Sequence, residues 1–167
     1  MLHDSATLLR SLPPEVYDAA HVPLGAVGIV YALLLDREPE VRGKQLRILQ
    51  SRTHPEVLAE AWRLDPLIAE LPPGWRLPLV DVCAPSLRTL SAAQAREIDA
   101  TVSALAHADE RIDLFEFALH QVLRQQLAEA LSPGRRRTVQ FHSMGGLIGE
   151  AAQVLSWLSW AGASSPE

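Results

Sequence analysis

The densest run of ligand chemistry in this sequence is Ala108-Asp-Glu-Arg-Ile-Asp-Leu-Phe-Glu116. Asp109, Asp113 and Glu116 offer hard carboxylate oxygens within one turn, the donor type that divalent cations such as Ca2+ and Mg2+ select. The same residues have a purely structural use. Asp113 suits a helix N-cap, and Glu116 three residues on makes an acidic capping box that also favours the helix dipole. Asp109 can accept from backbone amides of the preceding turn. The run is not an EF-hand loop, which is longer, alternates its oxygens and needs a glycine at its sixth position. His107 and His120 extend the set toward zinc, with Glu116 and His120 one turn apart, but neither histidine belongs to an H-E-x-x-H. Asp109, Asp113 and Glu116 are the candidate metal ligands, and capping is the commoner use of such a pattern.

Phe141-His-Ser-Met-Gly-Gly146 resembles the G-x-S-x-G nucleophile elbow of α/β-hydrolases. Phe141 stands where the elbow needs its first glycine, and no histidine follows His142 to serve as base. The upstream sequence is helical, not a run of parallel strands. Ser143 is therefore read as a loop residue and not as a nucleophile. Asp81, inside Leu79-Val-Asp-Val-Cys83, is expected to be buried and paired. Arg135-Arg-Arg137 is read as a solvated loop, able to touch anionic headgroups if the chain is held near a membrane. No nucleophile, base and orienting group form a complete set, so no catalytic residue is expected in this chain.

The elements that position these residues follow from composition and periodicity. The chain has 167 residues, 48% hydrophobic and 21% charged, enough to bury a core without a disulfide or metal staple. Cys83 is the single cysteine and cannot form an internal bridge, which fits a reducing compartment. A net charge of −5 argues against nucleic acid as a partner. No apolar run approaches the ~18 residues of a membrane span, and the start lacks a secretion signal, so a cytoplasmic location is expected. Fourteen Arg against one Lys, with abundant Ala and Leu, point to a G+C-rich bacterial genome.

Proline or a small polar residue precedes each periodic apolar stretch. Ser5 caps a short helix through Leu9, and Pro13-Pro14 opens the next. Residues 22–35 carry Val27, Val30, Tyr31, Leu34 and Leu35 on one stripe; Pro39 opens a helix with Val41, Gln45, Ile48 and Leu49 inward. Pro55 opens another, which Asp65-Pro66 should kink or restart. Residues 77–90 are apolar almost all round, the mark of a helix buried on most sides. Ser91-Ala-Ala-Gln94 is a capping box, Asp113 to Leu131 the longest helix, and Leu147 to Trp160 the last. Trp157 and Trp160 give that last helix an apolar face. Thr138 to Phe141 alone looks strand-like. The reading is all-α: an irregular multi-helix bundle forming one domain over 1–167, with sub-bundles 1–72 and 75–167 divided at Leu71-Pro-Pro-Gly74.

Two stretches, residues 77–91 and 106–119, together with Val30-Tyr-Ala-Leu-Leu-Leu-Asp-Arg-Glu-Pro39, resemble the C-terminal region of bacterial HtpX-like zinc metallopeptidases. In that family a membrane-embedded protease domain bearing H-E-x-x-H is followed by a helical cytosolic extension. The resemblance implies a non-catalytic accessory domain that regulates or scaffolds the protease, with the protease domain of the same polypeptide or other proteins as partners. Zinc would belong to the protease domain upstream, no cofactor to this chain, and membrane proximity would come through the parent at the inner membrane. The second stretch also resembles the TerB-like helical domain of tellurite-resistance proteins, where an Asp-Gly turn and a glutamate seven residues after the aspartate are associated with metal. Asp109 and Glu116 match those positions, while Glu110 replaces the glycine. That second resemblance implies the alternative of a freestanding stress-response protein that binds a divalent cation.

Overall fold

Prolines decide where most of the helices begin. The computed structural model describes residues 12–108 and 114–131, together with residues 148, 152, 153, 155 and 156. Five successive helices open on proline at their first position: α1 (Pro14–Ala20), α2 (Pro23–Leu34), α3 (Pro39–Arg52), α4 (Pro55–Ala69) and α5 (Pro73–Leu87). The first amide of a helix has no intrahelical acceptor, so a residue lacking it costs nothing there, and its fixed φ already suits the helix. α6 (Ala92–Ala106) opens instead on the expected capping box: the Ser91 amide donates to Gln94 Oε1 at 3.0 Å and the Gln94 amide to Ser91 Oγ at 3.3 Å. α7 (Leu114–Gln126) and the short α8 (Ala128–Leu131) follow. Among the described residues all regular structure is helical, as the periodicity requires.

α2 is the axis of the bundle. Every residue from Gly25 to Leu34 is buried, and α1, α4, α5 and α6 pack around it. The sequence reading assigned α2 a single apolar stripe and gave the fully buried role to residues 77–90. The structure reverses this. α2 carries no charged side chain, and its one polar group, the Tyr31 hydroxyl, hydrogen-bonds Thr101, so all of its faces can leave water. α5 buries Leu79, Val80, Cys83, Ser86 and Leu87 but exposes Pro78, Asp81 and Pro85. Two of its apolar-looking positions are prolines, and the carbonyls they leave unpaired belong where water can reach them.

Close approach is built from glycine. A Cβ on Gly25 would lie 2.7 Å from Ala19 Cα, so only glycine lets α2 turn back on α1 at the 115° bend between them. A Cβ on Gly28 would meet the α4 backbone at the Ala61 nitrogen, 3.2 Å away. Ser86 on α5 donates to the Ala20 carbonyl at 2.9 Å, tying α5 to the end of α1. Among the described residues no single helix is long and apolar enough to cross a membrane.

Other expectations are refined. α4 runs through Pro66 without a break, with that ring exposed on the outer side. The long helix expected over 113–131 is divided at Leu127, whose side chain is fully buried beside Leu119 and Leu123. The chain divides into two compact units, Met1–Gly134 and Arg135–Glu167. Leu71–Gly74 lies inside the first, and helices on either side of it pack together: α2 with α5 and α6, and α3 with α6. In the second unit residues 148, 152, 153, 155 and 156 are helical, and Ser156 Oγ donates to the Ala152 carbonyl at 2.8 Å. The expected cap at Ser5, the Phe141–Gly146 loop, the Thr138–Phe141 segment, Arg135–Arg137, Trp157 and Trp160 lie outside the described residues.

Candidate functional site

A cleft of about 260 Å3 opens where α2 ends, and the loop to α3 forms one of its walls. The loop is held from inside by Gln45, which is buried on α3 and hydrogen-bonds the Leu34 carbonyl and the Asp36 amide. Asp36 then turns the chain into α3: its Oδ1 accepts from the Glu38 amide at 2.8 Å, an Asx turn just ahead of Pro39. Arg42, one turn into α3, crosses to α4, where its Nη2 meets Asp65 Oδ2 at 2.5 Å; its Nη1 donates to the Asp36 carbonyl at 3.3 Å. Arg37 Nη2 donates to the Ala69 carbonyl at 2.9 Å, a cation at the negative end of α4.

Arg76 from the first turn of α5 and Glu116 from the first turn of α7 complete the polar lining. Arg76 Nε is shielded from solvent and donates to no acceptor among the described residues. Leu35, Ile68 and Phe115 supply an apolar wall. Among the described residues the cleft sets three guanidinium groups against three carboxylates, beside an apolar surface.

Elsewhere the ionisable groups tie helices together. Asp99 on α6 meets two residues of α7: it accepts a hydrogen bond from His120 Nε2 at 2.9 Å, and the Arg124 guanidinium lies alongside, its Nε 3.4 Å from the same Oδ1. Arg63 forks onto Glu60 one turn earlier in α4, at 2.6 and 2.9 Å, which lowers the Glu60 pKa chiefly through those hydrogen bonds. Burial pushes the Cys83 thiol up to about 12, and burial likewise raises the Tyr31 phenol, so both stay protonated at neutral pH. A second, largely apolar groove of about 350 Å3 lies between Leu24 and Val27 on α2, Val57 on α4 and Leu90 and Ile98 near α6.

Of the candidate metal ligands, Glu116 lines the polar cleft, while Asp109 and Asp113 lie outside the described residues. Among the described residues no three His, Cys, Asp or Glu side chains gather as a metal would need. His120 faces Asp99, and His107 Nδ1 lies 2.6 Å from the Ser103 carbonyl. Asp81, expected inside, is exposed on α5 and accepts from Gln126 Nε2 at 3.2 Å. It falls on the outward arc that α5 shares with Pro78 and Pro85. Sequence reasoning missed Arg42, Asp65 and Arg76, which are far apart in the chain and meet only at the end of α2. No match to this chain was found among protein-family models, curated proteins or solved structures.

Proposed function

We propose that this chain is a non-catalytic interaction domain, the cytosolic C-terminal part of a membrane-bound zinc metallopeptidase that it regulates or scaffolds. The observation that carries the reading is on α7, where Leu114 is 83% and Phe117 54% exposed. Three residues apart, they share one face of the helix. Large apolar side chains presented together mark a surface that docks on another protein. The resemblance of residues 77–91 and 106–119 to the extension of HtpX-like peptidases supplies the partner, which is the protease domain of the same polypeptide. The ion pairs Arg42–Asp65 and Glu60–Arg63 and the hydrogen bond between His120 and Asp99 support the same reading, since each links helices or turns of the scaffold.

The test is an antibody raised to this domain and used on fractionated native cells. A band far above 18.3 kDa in the membrane fraction is the expected result. A soluble band near 18.3 kDa, with no larger precursor, overturns the reading and favours a freestanding cation-binding protein instead. Within the larger protein, Leu114→Asp with Phe117→Asp should loosen this domain from the rest, seen as faster cleavage between them by added protease.

A further inference from the structure

The groove between α2, α4 and α6 has an apolar floor and a charged mouth. Val27, Tyr31, Leu90 and Ile98 are buried at the floor, and Val57 is half-buried on the α4 side. The Tyr31 hydroxyl already hydrogen-bonds Thr101, so the floor asks for carbon rather than for a hydrogen bond. His54, Gln94 and Glu97 stand exposed at the mouth. Two of these are engaged: His54 Nδ1 accepts from the Glu56 amide and Gln94 Oε1 from the Ser91 amide. Glu97 enters no ion pair among the described residues. Burial raises the Tyr31 phenol and the Glu97 charge adds to that rise, so this carboxylate is felt at the floor of the groove.

We propose that this groove is a binding site for a small organic ammonium ion with an apolar body, the body resting on Val27, Leu90 and Ile98 and the ammonium at Glu97. Charge complementarity selects the cation. Among the described residues Glu97 is the one carboxylate of the lining, no arginine or lysine stands there with it, and the whole chain carries −5. The apolar floor selects the body, where a carbon skeleton gains by leaving water. Size selects a small molecule, since about 350 Å3 falls within the roughly 300–1,000 Å3 of pockets that bury organic ligands. Of the large apolar side chains in the lining only Leu24 is markedly exposed, at 42%, so the mouth lacks the continuous apolar surface on which a partner helix docks. This binding is independent of the exposed face of α7 and of any peptidase.

The experiment follows the methyl NMR signals of Val27, Val57, Leu90 and Ile98 in the full chain during titration with phenylbutylamine, phenylbutanol or phenylbutyrate. These three share one apolar body and differ in charge. The amine should shift the signals saturably and bind roughly threefold more tightly than the alcohol, the strength of one exposed ion pair. The carboxylate should bind weakest. Butylamine, without the ring, should bind about tenfold more weakly than phenylbutylamine, or weaker still. Glu97→Gln, at an exposed position, should remove the preference for amine over alcohol and leave binding of the alcohol unchanged. Val57→Phe should fill the groove and weaken all three. Equal binding of amine and alcohol overturns the proposal. So does a preference that survives Glu97→Gln, or the lack of any saturable shift at these methyls. A blocked peptide with one lysine between leucines tests the other occupant. Saturation about tenfold below phenylbutylamine, or lower, assigns the groove to a protein segment and overturns the small-molecule site, whereas weaker binding supports it.

Discussion

Gln45 on α3 closes the end of α2 by donating its Nε2–H to the Leu34 carbonyl at 2.8 Å. The same amide accepts from the Asp36 N–H at 2.7 Å, so one buried side chain satisfies a donor and an acceptor where the central helix stops. The orphan carbonyls of a helix end must find partners, and α2 ends where little water can reach them. Everything that lines the polar cleft from this loop depends on that arrangement.

Gln45→Met keeps the length and removes the hydrogen bonds to the Leu34 and Leu105 carbonyls and from the Asp36 amide. It should destabilise the chain by about 2–4 kcal/mol, since buried and part-buried backbone groups lose their partners at once. Urea unfolding followed by circular dichroism measures it. A loss under ~0.5 kcal/mol would show that the end of α2 can be rebuilt without this side chain.

Two glycines should respond oppositely to the same change. Gly43 on α3 has only Arg47 Nη1, 3.8 Å away, near the place of a Cβ, so Gly43→Ala should stabilise by ~0.5–1 kcal/mol through helix propensity. At Gly25 the methyl would fall on the Ala19 backbone, which cannot yield as a flexible side chain does. Gly25→Ala should therefore cost about 1–3 kcal/mol despite the same gain in propensity. Melting temperatures of the two variants, moving in opposite directions, are the expected result.

Cys83 should be inert to Ellman's reagent in the native chain at pH 8 and react fully in urea. Its thiol is buried, with burial alone pushing it up to about 12. The folded pKa lies above the unfolded value of about 8.5, so this group contributes stability that is whole below pH 8.5 and is lost as the pH rises toward 12. Cys83→Ala should flatten the alkaline limb of the stability profile between those limits. Rapid labelling of the folded chain would contradict the burial.

Glu60 carries the opposite sign. Arg63 holds its carboxyl below the usual range, so its contribution is present above the unfolded value of about 4.3 and disappears as the pH falls through the folded one. Arg63 is half exposed, which screens the pair and limits the effect to about 0.5 kcal/mol. Urea midpoints of the native chain and Glu60→Gln should differ at pH 7 and converge at pH 3. A difference that persists at pH 3 would assign the effect to packing against Gly28 instead.

Much of the secondary structure was legible because its signals are local. Prolines at 14, 39 and 55 mark helix starts through their own missing amides, and Ser91 with Gln94 caps α6 through groups three residues apart. The all-helical class follows from spacing that repeats within each segment. Burial was less legible. Residues 23–34 and 73–87 are both apolar-rich, and periodicity alone cannot tell which becomes the axis; the prolines of the second and the glycines of the first decided it once they met neighbours. Asp81 was misplaced for that reason, because its exposure depends on which arc of α5 faces α2.

The cleft was the least legible part. Asp36, Arg42, Asp65, Arg76 and Glu116 span 81 positions and share no spacing that a one-dimensional pattern can carry. By itself the sequence determined the helical class and the helix starts at Pro14, Pro39, Pro55 and after Ser91, because these rest on interactions between residues a few positions apart. Only the tertiary structure decided which helix is central, where the end of α2 finds its partners, and that Arg76 Nε is shielded with no acceptor among the described residues. Those outcomes depend on side chains from distant segments competing for the same space, and that competition is resolved only when the helices pack.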